Sequence, residues 1–190
     1  MALPSSITTK NLSGRFTLNK TLSDTNAFDA ILIHESIGWI KRKAFAIGTV
    51  TLTFKHYTDK DGVEHFDIDN HLTGGIPGTQ ERRPVDSVER ERSDMHFGPQ
   101  LFYTKRRAPN DVEGLSEFLK GNWTEDTLEN GLLETDVKSD TAKSRTSWLE
   151  RHVWGIEEVQ GERRFTRHIE FEGPKGQRLD TIMYFDYLGA

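Results

Sequence analysis

Alternating apolar and polar residues run through most of the chain and predict a protein built mainly of strands. Val50, Leu52 and Phe54 alternate with polar residues, which is typical of a strand with one buried face. Before them, apolar residues at helical spacing predict a helix capped by Ser23-Asp24 and a second short helix over 39–46. A first strand is predicted over 12–19. This order is expected when two helices cover the mouth of an antiparallel barrel.

The last third of the chain has the clearest strand pattern. Strands are predicted over 148–159, 163–172 and 177–188, and turns at 160–161 and 173–176 join them into a meander. The side chains predicted to point inward from these strands are Trp148, His152, Trp154, Ile156, Phe165, Arg167, Ile169, Phe171, Leu179, Thr181, Met183, Phe185 and Tyr187. The fold class is therefore mainly β: a single antiparallel β-barrel domain over residues 1–190 with a short helix-turn-helix lid.

The middle of the chain predicts shorter elements. An Asp-Gly turn at 57–62 leads into a strand whose inward face carries Glu64, Phe66, Ile68, Asn70 and Leu72. The segments predicted after it are a corner at 73–79, a solvated loop or edge strand over 82–92, a strand with Met95, Phe97, Leu101 and Tyr103 on alternate positions, a short helix over 112–119, a short strand over 132–137 and a flexible loop over 136–146.

Composition excludes several classes of function. The chain has 190 residues, a net charge of −5 and no cysteine, so disulfides and thiolate chemistry are excluded. Its basic runs alternate with acidic stretches, which argues against nucleic acid as a partner. No apolar run reaches the roughly 20 residues of a membrane span, and the start of the chain lacks the pattern of a secretory signal. We therefore expect a cytoplasmic protein. The sequence is compatible with a homodimer as well as with a monomer.

Familiar catalytic motifs are missing from the sequence. There is no Gly-x-Ser-x-Gly, no His-Glu-x-x-His and no dinucleotide-binding glycine pattern. The glycines of 73–79 give little support to a phosphate cradle, because no Gly-Lys-Ser/Thr follows them. His65 and Asp67 share one strand face and could hold a metal with a third ligand, but the same spacing describes a solvated face. We predict no metal and no cofactor.

Polar residues on inward faces are the stronger signal. Arg167 lies between apolar neighbours on its strand, and His152 lies between Trp148 and Trp154. A buried cation or imidazole needs a partner. Either Arg167 pairs with an inward acid such as Glu150 or Glu64 in a filled core, or these groups line a cavity and orient a ligand. The pattern alone leaves both alternatives open.

The first third of the chain resembles the intracellular fatty-acid-binding proteins of the calycin superfamily. Gly14-Arg15-Phe16-Thr17-Leu18 matches the start of their first strand, and 26–32 with 37–44 matches their helix-turn-helix. The chain departs from that family at 181–185, where no arginine stands in place of the Arg-x-Tyr pair that holds a carboxylate.

Over most of its length the chain resembles small fungal lipocalin-like proteins. The residues that carry this resemblance are 14–24, Gly38-Trp39-Ile40-Lys41-Arg42-Lys43-Ala44 and the 73–79 corner. Some similar proteins are pericyclases of tropolone–sesquiterpenoid meroterpenoid biosynthesis, a secondary metabolism. The resemblance implies an inverse-demand hetero-Diels–Alder reaction between a tropolone o-quinone methide and a humulene-type olefin.

Such a reaction asks for an apolar cavity and one hydrogen bond to the heterodiene oxygen. The predicted catalytic donors are His152, Arg167 and Tyr187, and the predicted substrate-binding residues are Trp39, Phe54, Asn70, Tyr103, Trp148, Trp154, Phe165 and Met183. The partners would be hydrophobic small molecules. A non-catalytic carrier would use the same barrel, whereas a protein-binding module predicts a filled interior and an apolar surface patch.

Overall fold

The fold is a ten-stranded antiparallel sheet that curls around one core, in the order β4-β3-β2-β1-β10-β9-β8-β7-β6-β5. The computed structural model describes residues 2–74, 78–139, 141–144 and 146–190. The elements are β1 Gly14–Leu18, α1 Thr25–His34, α2 Trp39–Ile47, β2 Val50–Thr58, β3 Glu64–Leu72, β4 Thr79–Glu81, β5 Arg90–Asp94, β6 Gly98–Arg106, α3 Glu117–Lys120, α4 Glu125–Asn130, β7 Leu133–Ser139, α5 Thr141–Ser144, β8 Leu149–Val159, β9 Glu162–Glu172 and β10 Arg178–Gly189. The predicted mainly β barrel is confirmed.

The segment between β4 and β5 bridges the two edges of the sheet. Pro84 pairs with His65 of β3, and Val85 pairs in parallel with Thr104 of β6. The amide of Val85 donates to the Glu64 carbonyl at 2.8 Å. These contacts join β3 to β6 and draw the sheet into a barrel.

The two helices between β1 and β2 lie over one end of the barrel, as predicted. Asp24 caps α1 by accepting a hydrogen bond from the Ala27 amide at 2.9 Å, and Ile31 and Leu32 are the buried residues of α1. Helix α2 has no buried residue. Polar contacts hold it, among them the 2.6 Å ion pair between Arg42 and Asp29 of α1.

The amino-terminal segment closes the opposite end of the barrel. Leu3, Ile7 and Leu12 belong to the main hydrophobic core. The Leu3 amide donates to the carbonyl of Arg163, at the start of β9, at 2.8 Å. Above this seal, a cluster of aromatic rings fills the lower part of the barrel; its members are Phe16, Phe54, Phe66, Trp154, Phe165 and Phe185. Phe54 stacks on Phe66 with ring centroids 4.9 Å apart, so this part of the interior is solid.

A second, smaller core lies outside the barrel, where α3 and α4 cover β8 and β9. Leu119, Trp123 and Val153 belong to it. His168 of β9 is bound on both sides: Nδ1 donates to the Phe118 carbonyl at 2.8 Å, and Nε2 lies 3.2 Å from Glu157 Oε1. The helix predicted over 112–119 thus corresponds to α3, which begins later and ends before Gly121. Among the described helices, none combines the length and the hydrophobicity of a bilayer span.

Two predictions for the middle of the chain are wrong, and a third is correct only in part. Residues 95–97 form a turn rather than part of a strand, and Met95 is exposed. The charged stretch 82–92 was predicted as a solvated loop or edge strand; its end, from Arg90, does form the edge strand β5, but the stretch is not simply solvated, because Arg83 is only 2% exposed. The expected flexible loop over 136–146 is largely regular: β7 runs to Ser139 and α5 follows it. The predicted corner at 73–79 includes residues 75–77, which lie outside the described part of the chain.

The meander and the β2–β3 hairpin agree with the prediction. In the hairpin turn, the Asp59 carboxylate accepts from the amides of Asp61 and Val63 at 2.9 Å. The inward faces of β2, β3, β8, β9 and β10 supply eleven of the twenty buried residues of the main core. Alternation identified these faces because each strand has one buried side.

Acid is expected to destabilise the protein through Glu64. His56 Nδ1 accepts from the Leu12 amide, so Nε2 carries the proton and donates to Glu64 at 2.7 Å, while Arg106 Nε donates at 3.0 Å. Burial raises the pKa of Glu64, but these hydrogen bonds and the Arg106 charge outweigh burial and lower the pKa to about 2, from an ordinary 4.5. Because the folded pKa is the lower one, the stabilisation is present above the unfolded pKa and is lost as the pH falls toward 2.

The expected loss is about 3 kcal/mol of unfolding free energy, measured by urea denaturation across the acid range. Glu64→Gln is the matched control, since it cannot titrate. Its stability should depend less steeply on pH between 4.5 and 2 than that of the wild type. Equal acid dependence in the two proteins would contradict the assignment.

Candidate functional site

A cavity of about 480 Å³ lies between the aromatic cluster and the two helices. Its helical wall comes from α1 and α2, and its floor and sides come from residues of β1, β2, β3, β4, β8, β9 and β10 and of the turn at 96–97. The lining residues are Leu18, Thr25, Asn26, Phe28, Asp29, Leu32, Trp39, Arg42, Lys43, Phe45, Ala46, Val50, Leu52, Ile68, Asn70, His71, Leu72, Gly78, Thr79, Glu81, His96, Phe97, Trp154, Arg167, Met183 and Phe185. Apolar side chains form the larger part of this wall, and eleven of the 26 lining residues are polar or charged, so the cavity suits a small molecule with both apolar and polar parts.

Arg167 is a half-buried cation in the wall of this cavity. Its guanidinium lies 4.9 Å from the Trp154 ring centroid and 5.9 Å from that of Phe28. Within the described chain its one hydrogen bond runs from Nη2 to Met183 Sδ at 2.7 Å, and Nε has no partner. Burial lowers the pKa of Arg167 to about 10, so the group stays charged at neutral pH. Neither predicted partner pairs with it, because Glu150 binds His152 and Glu64 binds His56 and Arg106.

Glu81 organises a second polar group at the side of the cavity. Its carboxylate pairs with Arg83 and, at 2.6 Å, with Arg92, and it accepts from Asn70 Nδ2 at 2.9 Å. Burial opposes ionisation, but the two guanidinium groups outweigh it and hold the pKa of Glu81 well below its ordinary value. Arg92 Nε also donates to Gln100 at 2.9 Å. This charge network fixes Asn70 at the cavity wall.

Five of the predicted site residues line the cavity together. They are Trp39, Asn70, Trp154, Arg167 and Met183. They come from α2, β3, β8, β9 and β10, so the curled sheet and the lid bring together side chains that are distant in sequence. Their functional roles remain predictions.

The other six predicted residues lie outside the lining, and four of them pack in the core as aromatic side chains. Phe54 and Phe165 belong to the aromatic cluster beneath the cavity. Trp148 packs on Phe171, with ring centroids 6.4 Å apart. Tyr187 lies at the far end of the barrel, against Phe16 at 5.2 Å. These side chains shape the core below or beside the cavity.

His152 and Tyr103 require separate corrections. His152 is buried and inward but does not line the cavity; its Nε2 lies 2.8 Å from Glu150 Oε2, and Nδ1 has no partner among the described residues. Burial lowers the pKa of His152 although Glu150 opposes this, so a neutral ring is favoured. Tyr103 lies on the opposite face of β6 from the buried Phe102, and its hydroxyl donates to Asp136 at 2.8 Å. Tyr103 was therefore assigned to the wrong face.

Sequence reasoning missed Glu81 and the residues that the lid contributes. A signal for Glu81 exists in the sequence, because Thr79, Glu81, Arg83 and Val85 alternate as an inward face should. The high charge of the stretch concealed it. Asp29, Arg42 and Lys43 reach the cavity from α1 and α2, and the sequence pattern of two short helices does not predict which of their polar residues face inward.

His65 and Asp67, the two residues considered as metal ligands, are hydrogen-bonded to other residues of the protein. His65 Nε2 lies 2.8 Å from Asp59 Oδ2, and Asp67 accepts from the Arg83 amide at 2.9 Å. Asp67 is buried, so the alternative of a solvated face does not hold for it. Across the described residues, no group of three or more His, Asp or Glu side chains is arranged to hold a metal ion.

The chain is similar over its whole length to two proteins named as pericyclases. It is 26% identical to the probable pericyclase scpY of Mollisia scopiformis over 190 residues, covering 99% of this chain and 95% of that protein. It is also 26% identical to the pericyclase pydY of Acremonium sp over 191 residues, covering 100% and 98%. No family model matches the chain.

Solved structures with the same fold have little sequence in common with it. The fluorescent protein UnaG superposes with a TM-score of 0.54 at 9% identity, covering 93% of this chain and 96% of UnaG. The extracellular fatty acid binding protein As-p18 superposes with a TM-score of 0.52 at 14% identity, covering 92% and 94%. The chain therefore has the calycin-type fold predicted from its sequence and, as also predicted, resembles pericyclases from end to end.

Proposed function

We propose that this protein is a pericyclase that holds its reactants in the cavity beneath α1 and α2, acting as one domain over residues 1–190. Two observations support the proposal: the full-length similarity to proteins named pericyclases, and an apolar cavity with the unpaired cation Arg167 in its wall. The second observation carries the chemistry. A pericyclic step needs neither nucleophile nor cofactor from the protein, only orientation and a charge distribution that favours the transition state.

The specific reaction that we propose is an inverse-demand hetero-Diels–Alder addition of a tropolone o-quinone methide to a humulene-type sesquiterpene. The O=C–C=CH₂ unit and the olefin form one C–O and one C–C σ bond, and the π electrons redistribute without gain or loss of protons or electrons. Negative charge builds on the heterodiene oxygen in the transition state. A donor at that oxygen therefore stabilises the transition state more than the ground state.

Arg167 is the best placed of the three predicted donors. Its guanidinium lines the cavity and makes one hydrogen bond among the described residues, to Met183, whereas His152 and Tyr187 do not line the cavity. Trp154 and Met183 flank the guanidinium and restrict where the heterodiene oxygen can sit. The apolar wall beside them, Leu52 and Ile68 among others, would hold the olefin.

Turnover tests the proposal directly. Purified protein is incubated with a hydroxymethyl tropolone precursor, which releases the quinone methide, and a humulene-type olefin. We expect faster adduct formation and one dominant stereoisomer relative to the mixture without protein. The same stereoisomer ratio and rate with and without protein would overturn the proposed reaction.

A non-catalytic carrier of a hydrophobic metabolite is the alternative, and the apolar cavity itself favours it. Tight one-to-one binding of the olefin or the adduct, without acceleration, would support the carrier. The third alternative, a protein-binding module, expected a filled interior, and the cavity argues against it.

Trp39→Ala is expected to weaken substrate binding while leaving stability unchanged. Trp39 lines the cavity from α2, yet 64% of it is exposed, so its removal leaves no hole in the core. We expect a rise in KM of about fivefold, corresponding to about 1 kcal/mol of lost contact. Ile47→Ala, which changes an 85% exposed residue of the same helix outside the cavity lining, is the control. Equal effects of the two substitutions would contradict a role for Trp39.

A further inference from the structure

Arg167 is a half-buried cation that the described protein does not neutralise at close range. Glu150, Glu81 and Glu35 favour its charged form from a distance, but none of the described carboxylates forms an ion pair with it. Glu81 is engaged by Arg83 and Arg92, and Glu150 by His152. Its contacts are instead a thioether and two aromatic rings. A cation is costly in such surroundings unless something else pairs with it.

The cavity supplies the room for such a partner. Arg167 stands in the cavity wall, and its guanidinium makes one hydrogen bond among the described residues, from Nη2 to Met183, which leaves Nη1 for a ligand. A guanidinium with free N–H groups matches two oxygens that share one negative charge, and such charge-assisted hydrogen bonds are about twice as strong as neutral ones. Of the other two lining cations, Arg42 is paired with Asp29 at 2.6 Å and Lys43 is exposed on α2, while the apolar part of the wall suits a hydrocarbon body.

We propose that the cavity takes its substrate as an anion: an amphiphile whose acidic oxygen, an enolate or a carboxylate, pairs with Arg167 while its apolar part lies under α1 and α2. This inference rests on the proposed function and deepens it, because it assigns a charge to the head of the precursor that is bound, whereas the quinone methide that adds to the olefin is neutral. The bound oxyanion would then supply the ion-pair partner that Arg167 lacks within the described protein. The site is complete only when the oxyanion is present, and neutral molecules of the same shape bind more weakly.

Two pairs of probes test the charge and distinguish the two sources of oxyanion. Dodecanoate is compared with methyl dodecanoate, and tropolone with its O-methyl ether, by calorimetry in mildly alkaline buffer where both acids are ionised. We expect at least one anion to bind about 10- to 100-fold more tightly than its neutral partner, as a hydrogen bond to a charged group implies. A preference only in the first pair identifies a carboxylate ligand, and one only in the second identifies an enolate.

Variants of Arg167 show whether this residue is the origin of the preference. Arg167→Met should bring each anion to the affinity of its neutral partner, and Arg167→Lys should retain part of the difference. Arg178→Met removes the same charge at an exposed position of β10 and should change nothing. Equal affinities in both wild-type pairs, or a preference that survives in Arg167→Met, would overturn the proposal. Binding is measured without turnover, so the outcome is independent of whether the protein catalyses the proposed cycloaddition.

Discussion

Replacing Arg167 with Met is expected to slow the cycloaddition about 100- to 1000-fold while leaving the fold at least as stable. The loss follows from removing the donor that would meet the charge developing on the heterodiene oxygen. The unchanged stability follows because Met has similar volume and the cation has no ion-pair partner within the described chain to leave behind. Single-turnover product analysis and thermal unfolding measure the two effects.

The combination of effects is what identifies the role of Arg167. A structural residue would lose stability and turnover together, and such a result would contradict the assignment. Arg167→Lys keeps a cation and should recover part of the rate. Arg178→Met, at an exposed position, controls for the change in net charge and should retain wild-type turnover.

Replacing Glu81 with Gln is expected to destabilise the protein by about 3–5 kcal/mol, because it breaks a buried charge network on one side only. Arg83, which is 2% exposed, and Arg92 both depend on this carboxylate. The amide is nearly isosteric, so the loss reports charge rather than shape. Chemical denaturation measures it.

Glu117→Gln is the matched control for Glu81→Gln. The Glu117 side chain is 90% exposed and pairs with Lys120 on the surface, where an ion pair contributes about 0–1 kcal/mol. If Glu81→Gln were as mild as Glu117→Gln, the interior network would not be a stabilising feature of the barrel.

The sequence predicted which face of each meander strand points inward. It did not predict how far along the barrel axis each inward residue lies. Alternation places Phe165, Arg167 and Tyr187 correctly on inward faces, since one side of each strand is buried. Which of them reaches the cavity depends on how far along the barrel axis each lies, and therefore on the pairing of neighbouring strands. That pairing puts Phe165 opposite Phe185 and Arg167 opposite Met183, two residues nearer the lid.

Errors in the middle of the chain have two physical causes. Met95 and Phe97 are apolar, and counting alternate positions from them placed Tyr103 on the inward face of β6. Residues 95–97 form a turn and do not belong to that strand, so Phe102 faces inward and Tyr103 faces outward. Charge suggested solvent for 82–92, although Arg83 is buried beside a carboxylate. Composition alone cannot distinguish charges that face water from charges that neutralise one another inside a barrel.

The sealed lower end of the barrel has a kinetic consequence for any two-substrate reaction in this cavity. Leu3, Ile7 and the aromatic cluster occupy the route from below, so both reactants must come in past the lid and the first to arrive blocks the deeper position. We expect initial-rate kinetics to show compulsory-order addition, with the adduct competing against the leading reactant. Random-order kinetics would indicate a second way in.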